Sequence, residues 1–303
     1  MKQKIRIVLA MSFFLAVLPG LFANGTKEVA SVSEKPMIAV SILPQKYFVD
    51  RIAGSLVDVV VLVGEGQDPH SYEPTPLQMT QLAKASCWIL SKTDFELSLQ
   101  PKIASLYPKL DMIDGTEGVN LRYLEHHVEE SGEDVPQGTE IDRHTWLGLQ
   151  GSLVLAGHIK DSLVALLPQD KALLEKNYEE LVSDIQTTFT ELKASLAPLK
   201  GRTVFVYHPA FGYLLDDLGM IQEAVETGGK EPTAKALGQL IAQAKADKAA
   251  VIFVQAQFPV NAAETVAKAV GAKVVSLDPL AENWLDNIHL IGNSLLTALE
   301  PTR

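Results

Sequence analysis

Short runs of β-branched residues alternate with amphipathic stretches along both halves of the chain. This alternation is typical of βαβ units, in which helices connect parallel strands and cover the sheet. Strands are predicted at residues 37–42, 57–63, 87–91 and 110–113, and again at 203–207, 220–225, 251–255 and 273–277. Helices are predicted at residues 45–53, 76–85 and 94–107, and again at 211–218, 233–246, 262–270 and 284–299. The sequence therefore predicts an α/β protein with two similar lobes, each built on a parallel-type sheet.

A helical pattern of unusual length joins the two halves. Between residues 170 and 199, apolar side chains recur every three or four residues without a break, which indicates one continuous helix. Such a helix would be about 45 Å long and could run along both lobes. We therefore place the first lobe at residues 24–168, the linking helix at 169–200 and the second lobe at 201–303.

Residues 1–23 are typical of an export signal. Three basic side chains precede an apolar run at residues 7–18, which is followed by Pro19, Gly20 and the small residue Ala23. The apolar run is too short for an ordinary transmembrane helix. We therefore expect an exported, periplasmic protein. No cysteine ends the signal to carry a lipid, so membrane attachment would require an uncleaved signal or a partner.

The negative net charge argues against two classes of binding partner. The 303 residues include 37 Asp and Glu against 26 Lys and Arg, and the net charge is -11. Nucleic acids and anionic lipid surfaces require a cationic protein surface, so neither is expected as the main partner. A cationic ligand is compatible with this charge. The one cysteine, Cys87, stands in a predicted buried strand, and we expect its side chain to pack in the core without a reactive role.

An acidic segment interrupts the first lobe. Residues 125–142 contain seven carboxylates together with glycine and proline, and they predict an acidic loop. The loop also contains His126 and His127. These two histidines could hold a weak auxiliary zinc ion or guide one inward, and a solvated polar loop without a metal is the alternative.

Three of four potential metal ligands stand at or near the ends of predicted strands. His208 and Asp278 each directly follow a strand, and His70 lies in the loop after another. In parallel α/β sheets, ligands bind beyond the carboxyl ends of the strands. His144, at the end of the acidic loop and just before a helix, can join them. Three imidazole nitrogens and one carboxylate oxygen form a ligand set that suits Zn²⁺.

A site closed by four protein ligands favours binding over catalysis. A catalytic zinc keeps a position open for water, whereas a carrier surrounds its ion. The sequence also lacks a His-Glu-x-x-His motif. We therefore expect a metal-binding protein that is not an enzyme. An exported zinc hydrolase and a metal-dependent adhesin are the alternatives from other functional classes.

Four motifs resemble, in the right order, those of one protein family. They lie at residues 66–74 (GQDPHSYEP), 142–147 (DRHTWL), 207–213 (YHPAFGY) and 278–280 (DPL), the last followed by Asn287 and Ile288, and residues 228–234 (GGKEPTA) add a fifth. The chain thereby resembles the zinc and manganese substrate-binding proteins of bacterial ABC transporters, the ZnuA and TroA type. The resemblance extends over essentially all of the chain after residue 23.

The resemblance implies two (β/α) lobes bridged by one long helix, with the metal in the cleft between them. It assigns His70 and His144 of the first lobe and His208 and Asp278 of the second as ligands. It also implies that an ABC permease and its ATPase are the partners. We expect a monomer that delivers its ion to this transporter.

Three residues depart from the family pattern, and a fourth position, His208, bears on the choice of metal. Relatives often have Asp-Pro-His before the Trp-Leu pair and a further aspartate after it, and here Arg143 stands in the first motif and Gly148 in the place of that aspartate. Gln255 stands where glutamate is common. These changes could alter the support of the ligands and hence the affinity. Manganese-selective relatives tend to have glutamate in place of His208, so the imidazole favours zinc. Manganese and iron are the alternative cargoes.

The remaining histidines and aromatic residues have less specific settings. His158 falls within a helical pattern that includes Leu155, Ile159 and Leu163, and His289 falls within the predicted helix at residues 284–299. We expect both to be structural. Tyr72 and Trp146 stand beside proposed ligands, where they either wall the cleft against water or simply pack. The same two interpretations apply to Phe211 and Tyr213.

Overall fold

The computed structural model describes residues 35–124, 140–225, 234–247, 249–257 and 260–299. The predicted signal at residues 1–23, the auxiliary candidates His126 and His127, and residues 228–233 of the fifth motif lie outside these ranges. In the part of the chain that is described, no helix combines the length and the apolar character needed to cross a bilayer.

The first lobe is built on a sheet of four parallel strands in the order β2-β1-β3-β4. The strands are β1 (Met37–Ile42), β2 (Asp58–Val63), β3 (Cys87–Leu90) and β4 (Asp111–Asp114), and the helices between them are α1 (Leu43–Ala53), α2 (Pro76–Leu82) and α3 (Asp94–Leu106). The two central strands are the most apolar and the most buried, as expected for a sheet covered on both faces.

The second lobe repeats this arrangement, with strand order β6-β5-β7-β8. Its strands are β5 (Thr203–Val206), β6 (Ile221–Ala224), β7 (Val251–Gln255) and β8 (Lys273–Leu277), and its helices are α6 (Gly212–Asp217), α7 (Ala234–Ala246), α8 (Val260–Val270) and α9 (Trp284–Leu299). The predicted strands are found to within one residue at each end. The predicted two-lobe α/β fold is therefore confirmed.

Two consecutive helices connect the lobes. Helix α4 (Leu149–Leu166) ends before a 3₁₀ turn at Pro168–Asp170, and helix α5 (Lys171–Ser195) follows. A second 3₁₀ turn at Ala197–Leu199 ends α5. The long helix predicted from the sequence therefore has 25 α-helical residues flanked by two tighter turns, because proline cannot continue the α-helical hydrogen bonds at either end.

Helix α5 belongs to one hydrophobic core that includes both lobes. The apolar face of the helix is buried along its whole length, from Leu174 through Leu181, Ile185 and Phe189 to Leu192. The cluster that contains these residues reaches from β1 to α9. At Gly292 of α9, an added Cβ would overlap Leu192 of α5, so glycine is what allows the two helices to approach so closely. The lobes therefore share this core, and the second lobe has in addition a smaller cluster of its own around Phe205, Ile252 and Val266.

Cys87 is buried at the start of β3. Burial raises the pKa of its thiol to about 12, so the reactive thiolate is not populated near neutral pH. This environment agrees with the expected role as a packed side chain.

The stability of the shared core can be tested on α5 itself. Leu181 is fully buried, whereas Leu173 on the same helix is 47% exposed. Replacing Leu181 with alanine should lower the free energy of unfolding by about 2–5 kcal/mol, because it removes buried methyl groups and leaves a cavity. Leu173→Ala is the matched control and should change it by about 0.5 kcal/mol or less. Urea unfolding measures both, and equal effects would contradict a core centred on this helix.

Candidate metal centre

The candidate site lies where the carboxyl ends of the strands of both sheets meet. His70 lies in the loop after β2, and one residue, Tyr207, separates His208 from the end of β5. After β5 the chain crosses to β6 on one side of it, and after β6 it crosses back to β7 on the other side. The direction of the crossover connections therefore changes at β5. Ligands bind at such switch points in open α/β sheets. His144 reaches the same place from the segment that precedes α4.

Three imidazole nitrogens meet in the cleft between the lobes. The Nε2 atom of His208 lies 3.1 Å from Nε2 of His70 and 3.2 Å from Nε2 of His144. Ligand atoms of all three side chains lie within 4.8 Å of one another. Two nitrogens that bind one tetrahedral zinc, each about 2.0–2.1 Å from the metal, are about 3.3–3.4 Å apart. The observed separations are therefore close to those that zinc requires.

Each of the first-lobe histidines is held by a carboxylate behind it. Nδ1 of His70 lies 2.6 Å from Oδ2 of Asp94, and Nδ1 of His144 lies 2.9 Å from Oδ1 of Asp142. An ionised carboxylate only accepts hydrogen bonds, so Nδ1 of each ring carries the proton. The hydrogen bond from His70 holds the pKa of the Asp94 carboxyl below its ordinary value, against the opposing effect of partial burial.

The tautomer set by these carboxylates directs the remaining lone pairs into the cleft. With the proton on Nδ1, Nε2 of His70 and Nε2 of His144 are both acceptors, and both face Nε2 of His208. A cation at this point would satisfy all three nitrogens, and this is the carboxylate–histidine–metal arrangement common in zinc sites.

An arginine lies behind each of the two carboxylates. Nε of Arg143 lies 3.2 Å from Oδ1 of Asp94, and Nη1 of Arg122 lies 3.4 Å from Oδ2 of Asp142. The Asp142 side chain is fully buried, whereas that of Asp94 is 48% exposed. Both first-lobe histidines are therefore oriented by carboxylates that are themselves fixed by a cation.

The loop that presents Asp94 is fixed by a second, buried carboxylate. Glu96 in the first turn of α3 accepts hydrogen bonds from the backbone N–H of Ser91 at 3.0 Å and of Lys92 at 2.6 Å. Burial raises the pKa of Glu96. Lys92 has a φ of 59°, and its carbonyl accepts a hydrogen bond from Nη1 of Arg143 at 3.1 Å. This turn places Asp94 at the start of α3, beside His70.

In the second lobe, a neutral side chain fixes the backbone of His208. Oε1 of Gln255 accepts the backbone N–H of His208 at 3.1 Å, and Nε2 of Gln255 donates to the carbonyl of His208. Gln255 is fully buried at the end of β7. An ionised glutamate could accept the first hydrogen bond but could not donate the second. The departure from the family pattern at residue 255 therefore adds a contact here.

Asp278 is not part of the histidine cluster in this structure. Its Oδ1 accepts hydrogen bonds from Nε2 of Gln257 at 2.7 Å and from the backbone N–H of Leu280 at 2.8 Å. Of the four side chains predicted to converge, the structure brings together His70, His144 and His208. Ligation by Asp278 stays a prediction.

The remaining sequence candidates have structural contacts. Nε2 of His158 lies 2.9 Å from the carbonyl of Glu117, and Nε2 of His289 lies 3.1 Å from Oγ1 of Thr188. Both imidazoles bond to groups on other segments, and neither is part of the cluster of three.

The four aromatic candidates divide into two groups. Trp146 lines the cleft, and its Nε1 donates to the carbonyl of Pro279 at 2.9 Å. Tyr72 instead packs on Phe95, and Phe211 is buried in the core. Tyr213 is hydrogen-bonded across the lobes. Trp146 is therefore the one of these four that walls the cleft.

The cleft itself is a cavity of about 410 Å³, part of it open to solvent. Arg143, Trp146 and Gln257 line it together with the three histidines. The His70 side chain is 28% exposed and that of His144 is 12% exposed, whereas His208 is 4% exposed. An ion entering from solvent would therefore meet His70 first and His208 last.

A family model described as "Zinc-uptake complex component A periplasmic", ZnuA, matches residues 38–296. The chain belongs to the ZnuA family. The model describes this family as the periplasmic component of zinc-uptake complexes. The resemblance found in the sequence motifs is therefore confirmed.

Individual relatives agree with this membership. The zinc-binding lipoprotein AdcA of Streptococcus pneumoniae is 27% identical over 296 residues, which are 96% of this chain and 59% of AdcA. The high-affinity zinc uptake system protein ZnuA of Yersinia pestis is 27% identical over 289 residues, which are 87% of this chain and 91% of the relative. This ZnuA-family chain therefore spans less than two thirds of AdcA but nearly the whole of the Yersinia protein.

Solved structures share the fold. A crystal structure of ZnuA has a TM-score of 0.79 at 32% identity, with 88% of this chain and 99% of that chain covered. The periplasmic zinc-binding protein TroA from Treponema pallidum has a TM-score of 0.77 at 19% identity, with 88% and 100% covered. The second similarity concerns the fold alone.

Asp94 and Asp142 support proposed ligands in this structure, and neither role was predicted from the sequence. The only signal for Asp142 was its position two residues before His144, in the motif at residues 142–147. Asp94 is 24 residues from His70, and nothing in the local sequence connects them.

The support of His70 by Asp94 can be tested directly. Replacing Asp94 with alanine should weaken zinc binding about 10- to 100-fold, because the carboxylate that orients the imidazole and increases its basicity is lost. Asp161→Ala removes the same charge from an exposed position on α4 and should leave zinc affinity unchanged. Competition titration with a zinc chelator measures both variants. Equal affinities would show that Asp94 does not support the site.

Proposed function

We propose that this ZnuA-family chain captures Zn²⁺ in the cleft between its lobes and delivers it to an ABC transporter. The observation that carries the proposal is the convergence of Nε2 of His70, His144 and His208 at separations of 3.1 and 3.2 Å. Two of these side chains come from the first lobe and one from the second. A zinc ion bound to all three would therefore connect the lobes, and its release would require one of them to withdraw.

The donor set supports zinc over manganese. Imidazole nitrogen suits zinc, whereas manganese prefers carboxylate, carbonyl and water oxygens. Among the described residues, the carboxylates in contact with the imidazoles, those of Asp94 and Asp142, are hydrogen-bonded to Nδ1 atoms. Asp278 could supply one oxygen as the fourth ligand if its carboxylate turned away from Gln257. Manganese would need more oxygen than this, whereas iron, which imidazole also suits, stays an alternative cargo.

Two observations support metal capture over hydrolysis: the contacts of the acidic side chains beside the histidines, and the family. Three histidines alone would leave a position open for water, as in catalytic zinc sites. In this chain, however, the acidic side chains beside the histidines are held as hydrogen-bond acceptors, which does not favour a general base poised over a metal-bound water. Membership of a zinc-uptake family supports the same conclusion.

The transport role also defines the partners and the location. We infer that the chain is exported by its N-terminal signal, acts as a monomer in the periplasm, and passes its ion to an ABC permease driven by an ATPase. The names of the Yersinia and Streptococcus relatives, a zinc uptake system protein and a zinc-binding lipoprotein, support this role. The high-affinity character of the Yersinia relative fits a cleft with three nitrogen donors.

Zinc stoichiometry tests the proposal. Native mass spectrometry of the purified chain after competition between Zn²⁺ and Mn²⁺ should give one zinc per chain. His208→Ala should lose it, with an affinity loss greater than the roughly 10- to 100-fold typical of outer supports, because one ligand is missing. His158→Ala is the matched control, since this residue lies outside the cluster, and it should retain one zinc.

Three outcomes of that experiment would require a different function or site. Retention of manganese in preference to zinc would support the alternative cargo. Unchanged zinc binding by His208→Ala would contradict the cleft as the site. Two zinc ions per chain would indicate a second site, for which His126 and His127 are the sequence candidates.

The role of Asp278 calls for a separate variant. Asp278→Asn keeps an acceptor for the backbone N–H of Leu280 but removes the negative charge. If Asp278 is the fourth ligand, zinc should dissociate from this variant about tenfold faster or more, because a neutral amide oxygen is a weaker ligand than a carboxylate. The rate is measured by trapping released zinc with a colorimetric chelator. An unchanged rate would leave three histidines as the complete protein ligand set.

A further inference from the structure

Tyr213 of the second lobe inserts its hydroxyl group between two segments of the first. The hydroxyl oxygen accepts the backbone N–H of Arg122 at 2.8 Å, and the O–H donates to the backbone carbonyl of Asp142 at 2.9 Å. Tyr213 lies in α6, whereas Arg122 and Asp142 belong to the first lobe. A single hydroxyl therefore uses both its donor and its acceptor capacity across the interface between the lobes.

The two segments that Tyr213 contacts are paired with each other. The backbone N–H of Asp142 donates to the carbonyl of Arg122 at 2.9 Å, and the N–H of Leu124 donates to the carbonyl of Glu140 at 2.8 Å. An antiparallel bridge between Tyr123 and Ile141 lies between these bonds. We call residues 122–124 and 140–142 the stem. Tyr213 binds the end of the stem at Arg122 and Asp142.

This end of the stem also carries the support of a proposed ligand. Oδ1 of Asp142 accepts both the backbone N–H of His144 at 3.0 Å and its Nδ1–H at 2.9 Å. The direction of the His144 ring therefore depends on the position of Asp142. That position depends in turn on Tyr213, because the tyrosine hydroxyl binds the carbonyl of the same residue.

A second contact across the lobes reinforces the first. Nε of Arg122 donates to Oδ2 of Asp216 at 3.0 Å, and its Nη1 lies 3.4 Å from Asp142. Two glycines allow this close approach, because a Cβ at Gly148 would lie 2.7 Å from Cβ of Tyr213 and one at Gly212 would lie 2.6 Å from Cζ of Arg122. The glycine at position 148, another departure from the family pattern, therefore makes room for Tyr213.

We propose that Tyr213 is a positioning residue that couples the contact between the lobes to the orientation of His144, and thereby slows the release of zinc. The inference rests on the proposed function, because it assigns Tyr213 a role at the proposed metal centre. When the lobes separate at α6, both hydrogen bonds of the hydroxyl break, and Asp142 loses one of the groups that hold it. His144 is then less firmly directed at the ion.

The chemistry of the hydroxyl suits this role. Burial raises the pKa of Tyr213 to about 12, so the group keeps its proton and continues to donate throughout the neutral range. The protonation of this hydroxyl therefore does not change over the neutral range.

The test compares two tyrosine-to-phenylalanine variants of the full chain. Tyr213→Phe keeps the ring and removes only the hydroxyl. Tyr72→Phe is the matched control, because its hydroxyl donates to Oε1 of Gln78 within the first lobe at 2.7 Å. Zinc should dissociate from Tyr213→Phe about tenfold faster than from wild type, in line with the loss of a support behind a ligand. The rate for Tyr72→Phe should equal that of wild type.

A spectroscopic measurement separates positioning from a general loss of stability. Co²⁺ takes the place of zinc as a probe, since its visible absorption bands report the geometry of the ligands. The bands should shift or weaken in Tyr213→Phe and remain unchanged in Tyr72→Phe. Faster zinc release with an unchanged cobalt spectrum would overturn the coupling through His144, because a structural effect alone would then explain it.

A second variant tests the same coupling without altering the buried hydroxyl. Asp216→Asn weakens the contact of Arg122 at an exposed position, so it should fold normally and release zinc about two- to threefold faster. Zinc release at the wild-type rate by both Tyr213→Phe and Asp216→Asn would overturn the inference while leaving the proposed function intact. Failure of the wild-type chain to hold zinc at all would overturn both.

Discussion

The site depends on the single apolar face of helix α5. Because this face is buried along its whole length in a core that includes residues of both lobes, the two sheets are not free to turn independently. Their carboxyl edges thereby face each other across the cleft that holds the three histidines. The close contact between Leu192 and Gly292 fixes α9 against the same helix. Close-packed cores resist large displacements, so packing of this kind allows the lobes only small adjustments.

Within this frame, the two lobes orient their histidines by different means. The first lobe uses charge: carboxylates hold Nδ1 of His70 and His144, and arginines hold the carboxylates. The second lobe uses the backbone, because Gln255 fixes the N–H and the carbonyl of His208. The first arrangement fixes the tautomer as well as the direction of the ring, which is what a metal ligand requires. The second places the residue without adding a charge to the least exposed part of the cleft.

The interface between the lobes is also part of the ligand support. Asp142 belongs to the first lobe, yet its backbone carbonyl is bound by Tyr213 of the second. Trp146, two residues after His144, similarly donates to the carbonyl of Pro279 in the second lobe. The segment around His144 is therefore held from both sides of the cleft. The position of the proposed ligand His144 and the contact between the lobes are linked in this structure through hydrogen bonds to backbone carbonyls, which the sequence does not specify by residue type.

The strands, the helices and the two-lobe fold were predictable because they depend on local patterns: β-branched runs bounded by turns, and apolar residues at helical spacing. The candidate ligands were predictable for a related reason, since His70 and His208 follow predicted strands and lie within motifs of the family. The sequence could not show that Asp94 supports His70, that Tyr213 supports Asp142, or that Asp278 is held by Gln257. These contacts join residues that are distant in sequence, and their distances are set by how two sheets pack on one helix. Local propensity therefore determined the elements and the edge at which a site could form, whereas tertiary packing decided which donors meet there.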